Sequence, residues 1–289
     1  MKFTDRAPFV PIRERPKLSW PNGKRLAVWI VPNIEHYEPD LLHGPTVATP
    51  AVEPPDVPNF TWRDYGMRVG VWRLMDTMER LDVRGTVALN SRVCELYPSV
   101  ISACVKLGWE FMGHGKTNSR PLSGMKADEE GALLPEVLAT IEKATGRRPR
   151  GWLGPGLAET DRTLDLLAQN GVQYVADFVN DDQPYPLKTD HGTMYSLPYA
   201  IETNDIGAFV RRSFTPADWG TMLRDTFDVL YAESAESARV MCIALHPFIV
   251  GAPMRAKHFE AALAYMRGHA DAWFATGSEI IEAYRTARS

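Results

Sequence analysis

One pattern constrains this chain more than any other. Short apolar runs end abruptly in small, acidic or imidazole-bearing residues, and each is followed by a stretch with helical spacing. The run 26–31 gives way to Pro32-Asn33-Ile34-Glu35, 109–112 to Gly113-His114-Gly115, 151–153 to Gly154-Pro155-Gly156, 173–176 to Asp177, and 240–245 to His246-Pro247. Runs 86–90, 195–199 and 272–275 read as further strands. Continuous apolar runs of this length suit strands buried on both faces, and helical spacing over 69–81, 99–107, 128–145, 160–170, 216–233, 256–267 and 278–285 supplies the crossovers of a parallel sheet. The reading is an α/β chain whose sheet closes, or nearly closes, into a barrel. In such a barrel the strand ends share one face, so Glu35, His114, Gly154, Asp177 and His246 become neighbours although they lie far apart in sequence.

Composition limits the partners. The chain has 289 residues, 45% of them hydrophobic and 24% charged, with a formal net charge of −4. That is ordinary globular composition, and it offers no broad electrostatic attraction to nucleic acid or to an anionic membrane. A small-molecule substrate is expected. No stretch has the length of a bilayer span and the first residues lack the apolar core of a secretory signal. Cys94, Cys104 and Cys242 are odd in number and lack paired spacing, which points to reduced buried thiols and a cytoplasmic protein.

Residues 1–22 hold Pro8, Pro11, Pro16 and Pro21 and read as an extended arm ahead of a single domain over 23–289. The arm carries Phe3, Phe9, Val10, Ile12 and Trp20, too much apolar surface to float freely. Burial on a neighbouring subunit is expected, giving a homo-oligomer; packing on its own barrel is the alternative. The proline-crowded segment 43–59 reads as a long loop suited to a lid or a subunit contact.

The ordered set Asn33-Ile34-Glu35, Asp64-Tyr65-Gly66-Met67-Arg68-Val69-Gly70-Val71-Trp72-Arg73, Gly113-His114-Gly115, Gly154-Pro155-Gly156, Asn180-Asp181-Asp182, Pro198-Tyr199, Asn204-Asp205 and His246-Pro247 resembles the polysaccharide deacetylase, or NodB-homology, superfamily over most of the chain. Within it, the sequence is most similar to the allantoinase-like and cyclic-imide-hydrolase-like branch. The resemblance implies a distorted (β/α)7-type barrel, hydrolysis of carbon–nitrogen bonds outside peptides, and, by the habit of that branch, a tetramer. The superfamily's metal-dependent members hold their ion with an aspartate of an acid pair and two histidines spaced HxxxH. Here Asn33 and Glu35 stand for the acids and Asn118 stands four residues after His114. A neutral amide is a poor zinc ligand, so no tightly held metal is expected; a zinc site, if formed, would use Glu35, His114 and Asn118.

Hydrolysis of a ring amide needs a base, an oxyanion donor and an acid. The resemblance and the strand-end placement nominate Glu35 as base, His246 as acid and His114 as the group that binds the carbonyl oxygen or orients the water. Glu35 also matches the superfamily's metal-holding acid, which leaves its role open at this stage. Asn33, Asn118, Pro155, Asp177, Asn204, Asp205 and Arg255 are the candidate substrate-binding residues. His36, His43, His191, His258 and His269 read as structural or surface residues. The function expected is ring-opening of a small cyclic amide, imide or ureide. A metal-dependent carbohydrate N-deacetylase and a non-catalytic ligand-binding barrel are the competing readings.

Overall fold

The structure, a computed structural model, describes residues 2–42 and 44–288; His43 lies outside the described residues. Strand β1 (Leu26–Ile34) is buried along its whole length. One edge of it pairs in parallel with β8 (Arg239–Leu245). The other edge is shared, by β9 (Ala272–Phe274) at the entry end and by β2 (Thr86–Leu89) at the exit. From β2 the sheet continues through β3 (Glu110–Gly113), β4 (Gly151–Trp152), β5 (Tyr174–Val175) and β7 (Gly192–Ser196), all parallel. Antiparallel β6 (Tyr185–Thr189) forms the far edge. The parallel path β7-β5-β4-β3-β2-β1-β8 curls into a distorted half-barrel whose ends do not pair, in keeping with the expected (β/α)-type barrel.

Helices α1 (Val57–Tyr65), α2 (Val71–Arg80), α3 (Ser91–Leu96), α4 (Pro98–Lys106), α5 (Ala127–Thr145) and α6 (Thr163–Gln169) connect the strands through β5. Helices α7 (Pro216–Glu233), α8 (Pro247–Val250), α9 (Pro253–Arg267) and α10 (Gly277–Arg288) complete the layer. Their ends follow sequence chemistry. Thr215 and Asp218 form a reciprocal capping box at the start of α7, and Gly146 closes α5 in the left-handed conformation at φ 73°.

Side-chain alternation along the strands decides what reaches the mouth. Leu26, Val28, Ile30 and Ile34 of β1 pack outward in the cluster shared with the helices, whereas Ala27, Trp29 and Val31 pack inward with Ala88, Met112, Leu153, Tyr174, Ala176, Val240, Cys242 and Ala244. The inward series, continued by two residues at a time, passes through Asn33 to Glu35 on β1, from Met112 to His114, and from Ala244 to His246. The core therefore aims these groups into the cleft. Asp177 is out of phase: Tyr174 and Ala176 face inward, so the next side chain turns away.

The arm packs on its own body. Arg6 is buried and its guanidinium takes both carboxylate oxygens of Asp165 at 3.0 and 2.8 Å. Arg15 grips Asp181 at 2.7 and 2.6 Å, and Trp20, also buried, donates its indole N–H to the Arg239 carbonyl at 2.9 Å. Trp20 is thus covered within the chain and Ile12 partly so, whereas Phe9 stays 90% and Val10 38% exposed.

Several elements differ from the sequence reading, among them the short helices α3 and α8. β6 was not expected, since Pro186 and its polar neighbours suit only an edge strand. The loop after residue 43 ends earlier, because α1 begins at Val57, and Asn59 pins it by accepting from the Val47 and Ala48 amides at 2.8 and 3.0 Å.

A π-helical turn, Gly66–Gly70, joins α1 to α2 and lies against the segment that follows His246. A Cβ on Gly70 would meet the Pro247 carbonyl oxygen at 2.0 Å, and one on Gly251 would meet the Gly70 Cα at 2.4 Å. Gly70→Ala is therefore expected to destabilise the fold by about 1–3 kcal/mol and to lower activity by displacing His246. Urea unfolding and steady-state kinetics on the same variant check both effects, and a neutral substitution would show that the contact relaxes freely.

Candidate active site

A cleft of about 700 Å³ opens at the carboxyl ends of the strands, lined by Asn33, Glu35, Tyr37, His114, Asn118, Leu153, Pro155, Tyr199, Asn204, Arg211 and His246 among others. Gly44 and Pro45 of the long loop form part of its wall. Glu35 sits at the bottom. Its Oε1 lies 3.2 Å from His114 Nε2, 3.5 Å from His246 Nε2 and 2.5 Å from Asn118 Nδ2, while Oε2 accepts from the Tyr37 hydroxyl at 2.6 Å.

The orientation of the Asn118 amide follows from the backbone. The His36 N–H donates to Asn90 Oδ1 at 2.8 Å, so Asn90 must present its NH2 to Asn118 Oδ1, 3.1 Å away. That turns the Asn118 NH2 toward Glu35. His114 is fixed in the same way. Its Nδ1 lies 2.6 Å from the Leu153 carbonyl, which only accepts, so Nδ1 carries a proton and Nε2 faces the carboxylate.

His246 is clamped by Asp205, whose two carboxylate oxygens take the His246 backbone N–H at 2.7 Å and Nδ1 at 2.6 Å. Burial opposes charge on this imidazole, but Glu35 and Asp205 on either side outweigh it and push the pKa up to about 10. Burial likewise opposes ionisation of Glu35, and the His246 charge together with hydrogen bonds from His114 and His246 overcomes it, holding the carboxyl well below the usual range. The resting site is a buried Asp205–His246–Glu35 chain of alternating charge.

This donor set does not suit a divalent metal. Asn118 presents N–H bonds where a ligand must present a lone pair, and its oxygen is committed to Asn90. Among the described residues no group of three or more His, Cys, Asp or Glu side chains is arranged to hold an ion.

The other candidates divide. Asn33 lines the cleft, with its NH2 held by the Val31 and Leu245 carbonyls at 3.2 and 3.3 Å. Pro155 and Asn204 line it too. Asp205 is fully buried behind His246 and positions that residue instead of touching substrate. Arg255 lies outside the lining: it stacks 4.6 Å over the Phe209 ring and donates to the Ile249 carbonyl at 3.3 Å, a packing role. Asp177 also misses the cleft, as its strand phase requires, and accepts the Gly154 N–H at 2.7 Å from behind. Sequence reading missed Tyr37, Asn90 and Arg211. Tyr37 was detectable, since it stands two residues beyond Glu35 and continues the same inward phase.

Residues 58–175 match the polysaccharide deacetylase family. A Schizosaccharomyces pombe protein assigned by name to the polysaccharide deacetylases is 28% identical over 92% of this chain and 92% of its own. The Helicobacter pylori peptidoglycan deacetylase is 24% identical, with 75% of this chain and 84% of that protein covered. Among solved structures, that of PuuE allantoinase superposes with a TM-score of 0.83 at 27% identity, covering 94% of each chain.

Asp177 faces Glu159, and the two carboxyls share a confined space. Burial raises the Asp177 pKa from 3.8 to about 6, and burial together with Asp177 raises that of Glu159 well above its ordinary value. A folded-state pKa above the unfolded one means that this stabilising contribution is full below about pH 4 and is lost as pH rises through about 6. Asp177→Asn keeps the acceptor for Gly154 and removes the charge conflict. The variant should gain about 1–2 kcal/mol at pH 8 and little at pH 4, read from urea midpoints at the two pH values; equal midpoints for both proteins at pH 8 would contradict it.

The strand-end constellation, the distorted barrel that carries it and these likenesses agree: residues 58–175 match the polysaccharide deacetylase family, and the chain as a whole is similar to hydrolases of carbon–nitrogen bonds.

Proposed function

We propose that the protein opens a small cyclic amide, imide or ureide by hydrolysis and does so without a tightly held metal. The observation that carries this reading is the Glu35 carboxylate faced by hydrogen donors from Asn118 and Tyr37 and by two imidazoles. Leu153, Pro155, Tyr199 and Ile206 give the cleft apolar walls suited to a compact ring. The likeness to PuuE allantoinase supports the same substrate class.

In this reading Glu35 Oε1 takes a proton from water, whose oxygen attacks the ring carbonyl. His114 Nε2 accepts from the water and orients it, and the Asn118 NH2 donates to the developing oxyanion. His246 gives its Nε2 proton to the leaving nitrogen as the ring C–N bond breaks; the product is one open chain with a carboxylic acid, which ionises in water, and a free amine, amide or urea group, and Glu35 passes the water proton to His246 to restore the resting pair. A carboxylate held at so low a pKa is a weak base in the resting site. As His246 transfers its proton, the charge that depresses Glu35 disappears and its proton affinity rises at the moment it is needed.

Incubation with hydantoins, dihydropyrimidines, cyclic imides and allantoin, with and without chelator, tests the proposal. Turnover should survive chelation, and Glu35→Gln should lower kcat on the order of 10²–10⁴-fold with KM little changed. Activity lost to chelator and restored by zinc would favour a metal-dependent deacetylase. Specific ring binding without turnover in the wild type would favour a non-catalytic barrel. kcat/KM should also hold level through neutral pH and fall above about pH 10 as His246 loses its proton. Asp205→Asn should bring that alkaline limb down toward neutrality, while an unmoved limb would remove His246 as the acid.

A further inference from the structure

A second π-helical turn, Ile206–Arg211, forms one rim of the cleft and contributes Ile206, Gly207, Val210 and Arg211 to its lining. Such turns arise where a helix is distorted to aim side chains, and they are frequent at functional sites. Arg211 is the only lysine or arginine among the described residues that line the cleft. It is exposed at the mouth and makes no hydrogen bond or ion pair with any described residue. The lining has one carboxylate, Glu35, which is buried and already engaged by its two imidazoles. Arg212 and Arg255 add positive charge around the same turn, and Asp205, at its start, is committed to His246. Arg211 is therefore the one guanidinium that the described lining presents to an anion.

We propose that Arg211 recognises a carboxylate on the substrate, so that the preferred substrate is a ring amide bearing an anionic substituent directed toward the cleft mouth. This rests on the ring-opening reading above. The reacting carbonyl belongs at Glu35 on the floor, and a substituent across the ring projects toward the rim where Arg211 stands. Because the guanidinium is solvated, its contribution is modest, about tenfold in affinity at low salt, and it shrinks as salt is added.

The test uses matched pairs that differ by one carboxylate: dihydroorotate with dihydrouracil, and hydantoin-5-acetate with hydantoin. Binding is measured by calorimetry and turnover in parallel, on the full chain, Arg211→Gln, Arg211→Lys and Arg212→Gln. The wild type should favour the carboxylate member of each pair by about tenfold. Arg211→Gln should erase the preference while leaving constants for the neutral rings within about twofold, Arg211→Lys should retain part of it, and Arg212→Gln all of it. Neutral rings turned over with no carboxylate preference, or a preference that survives Arg211→Gln, overturns this proposal and leaves the ring-opening reading standing. A carboxylate preference in binding that depends on Arg211, without any turnover, supports it and overturns the ring-opening reading. Binding of neither member overturns both.

Discussion

Everything at the mouth of this barrel depends on one buried carboxylate. Glu35 is almost wholly removed from water, a placement that for an isolated acid would force protonation. It stays ionised because the surrounding protein supplies what water would have supplied: the Tyr37 hydroxyl, the Asn118 amide and two imidazoles, one held cationic by Asp205. Each of these partners is fixed by something further out. Asn118 is set by Asn90, Asn90 by a backbone N–H, His114 by a backbone carbonyl and His246 by both oxygens of Asp205. The site is pre-organised by neighbours that never touch substrate, which is how a preset field comes to cost little reorganisation during reaction.

The same arrangement shows what an asparagine at position 118 does that a histidine would not. An imidazole there would bring a lone pair to the point where Glu35 Oε1 and His114 Nε2 converge, and those three groups could share a cation. An amide brings hydrogens, and the carboxylate fills the gap itself by bonding to them. One residue thus separates a site that gathers lone pairs around an ion from one that gathers donors around a carboxylate. The second arrangement keeps a carboxylate and a charged imidazole 3.5 Å apart at the floor of the cleft.

Much of this was legible in the sequence because strand alternation is rigid. Once the apolar runs are read as strands, Glu35, His114 and His246 fall in the inward phase two residues beyond a buried side chain, and the expected convergence of the three is what the structure shows. The same rule, applied strictly, would have excluded Asp177, which follows inward-facing Ala176 and so turns outward. Asp205 and Arg255 were harder, because they lie in irregular connections where no periodicity says which way a side chain points. Arg211 escaped notice for that reason too: a π-helical turn has no sequence signature as clear as a cap or a hairpin. The arm was read as apolar and extended with two resting places open, a neighbouring subunit or its own barrel, and the structure shows it on its own body. Arg6 and Arg15 meet aspartates more than 150 residues away, and pairings at that range depend on the completed fold.

The packing that carries the acid is as specific as the chemistry. His246 sits between a strand whose phase aims it inward and a four-residue helix that must pass close beneath the Gly66–Gly70 turn. Gly66, Gly70 and Gly251 remove side chains where backbones approach, and Phe248 then fills the wall beside Tyr37 and Trp62 with rings packed edge to face. That aromatic wall reaches Tyr37, whose hydroxyl holds Glu35. The glycine-rich turn, the aromatic wall and the carboxylate are therefore mechanically continuous, so the segment 64–73, which contributes no side chain to the cleft lining, nevertheless sets the separation of Glu35 and His246. A motif of this kind is constrained by what must fit behind the site, which explains why residues with no chemical role belong to the pattern by which the superfamily is recognised.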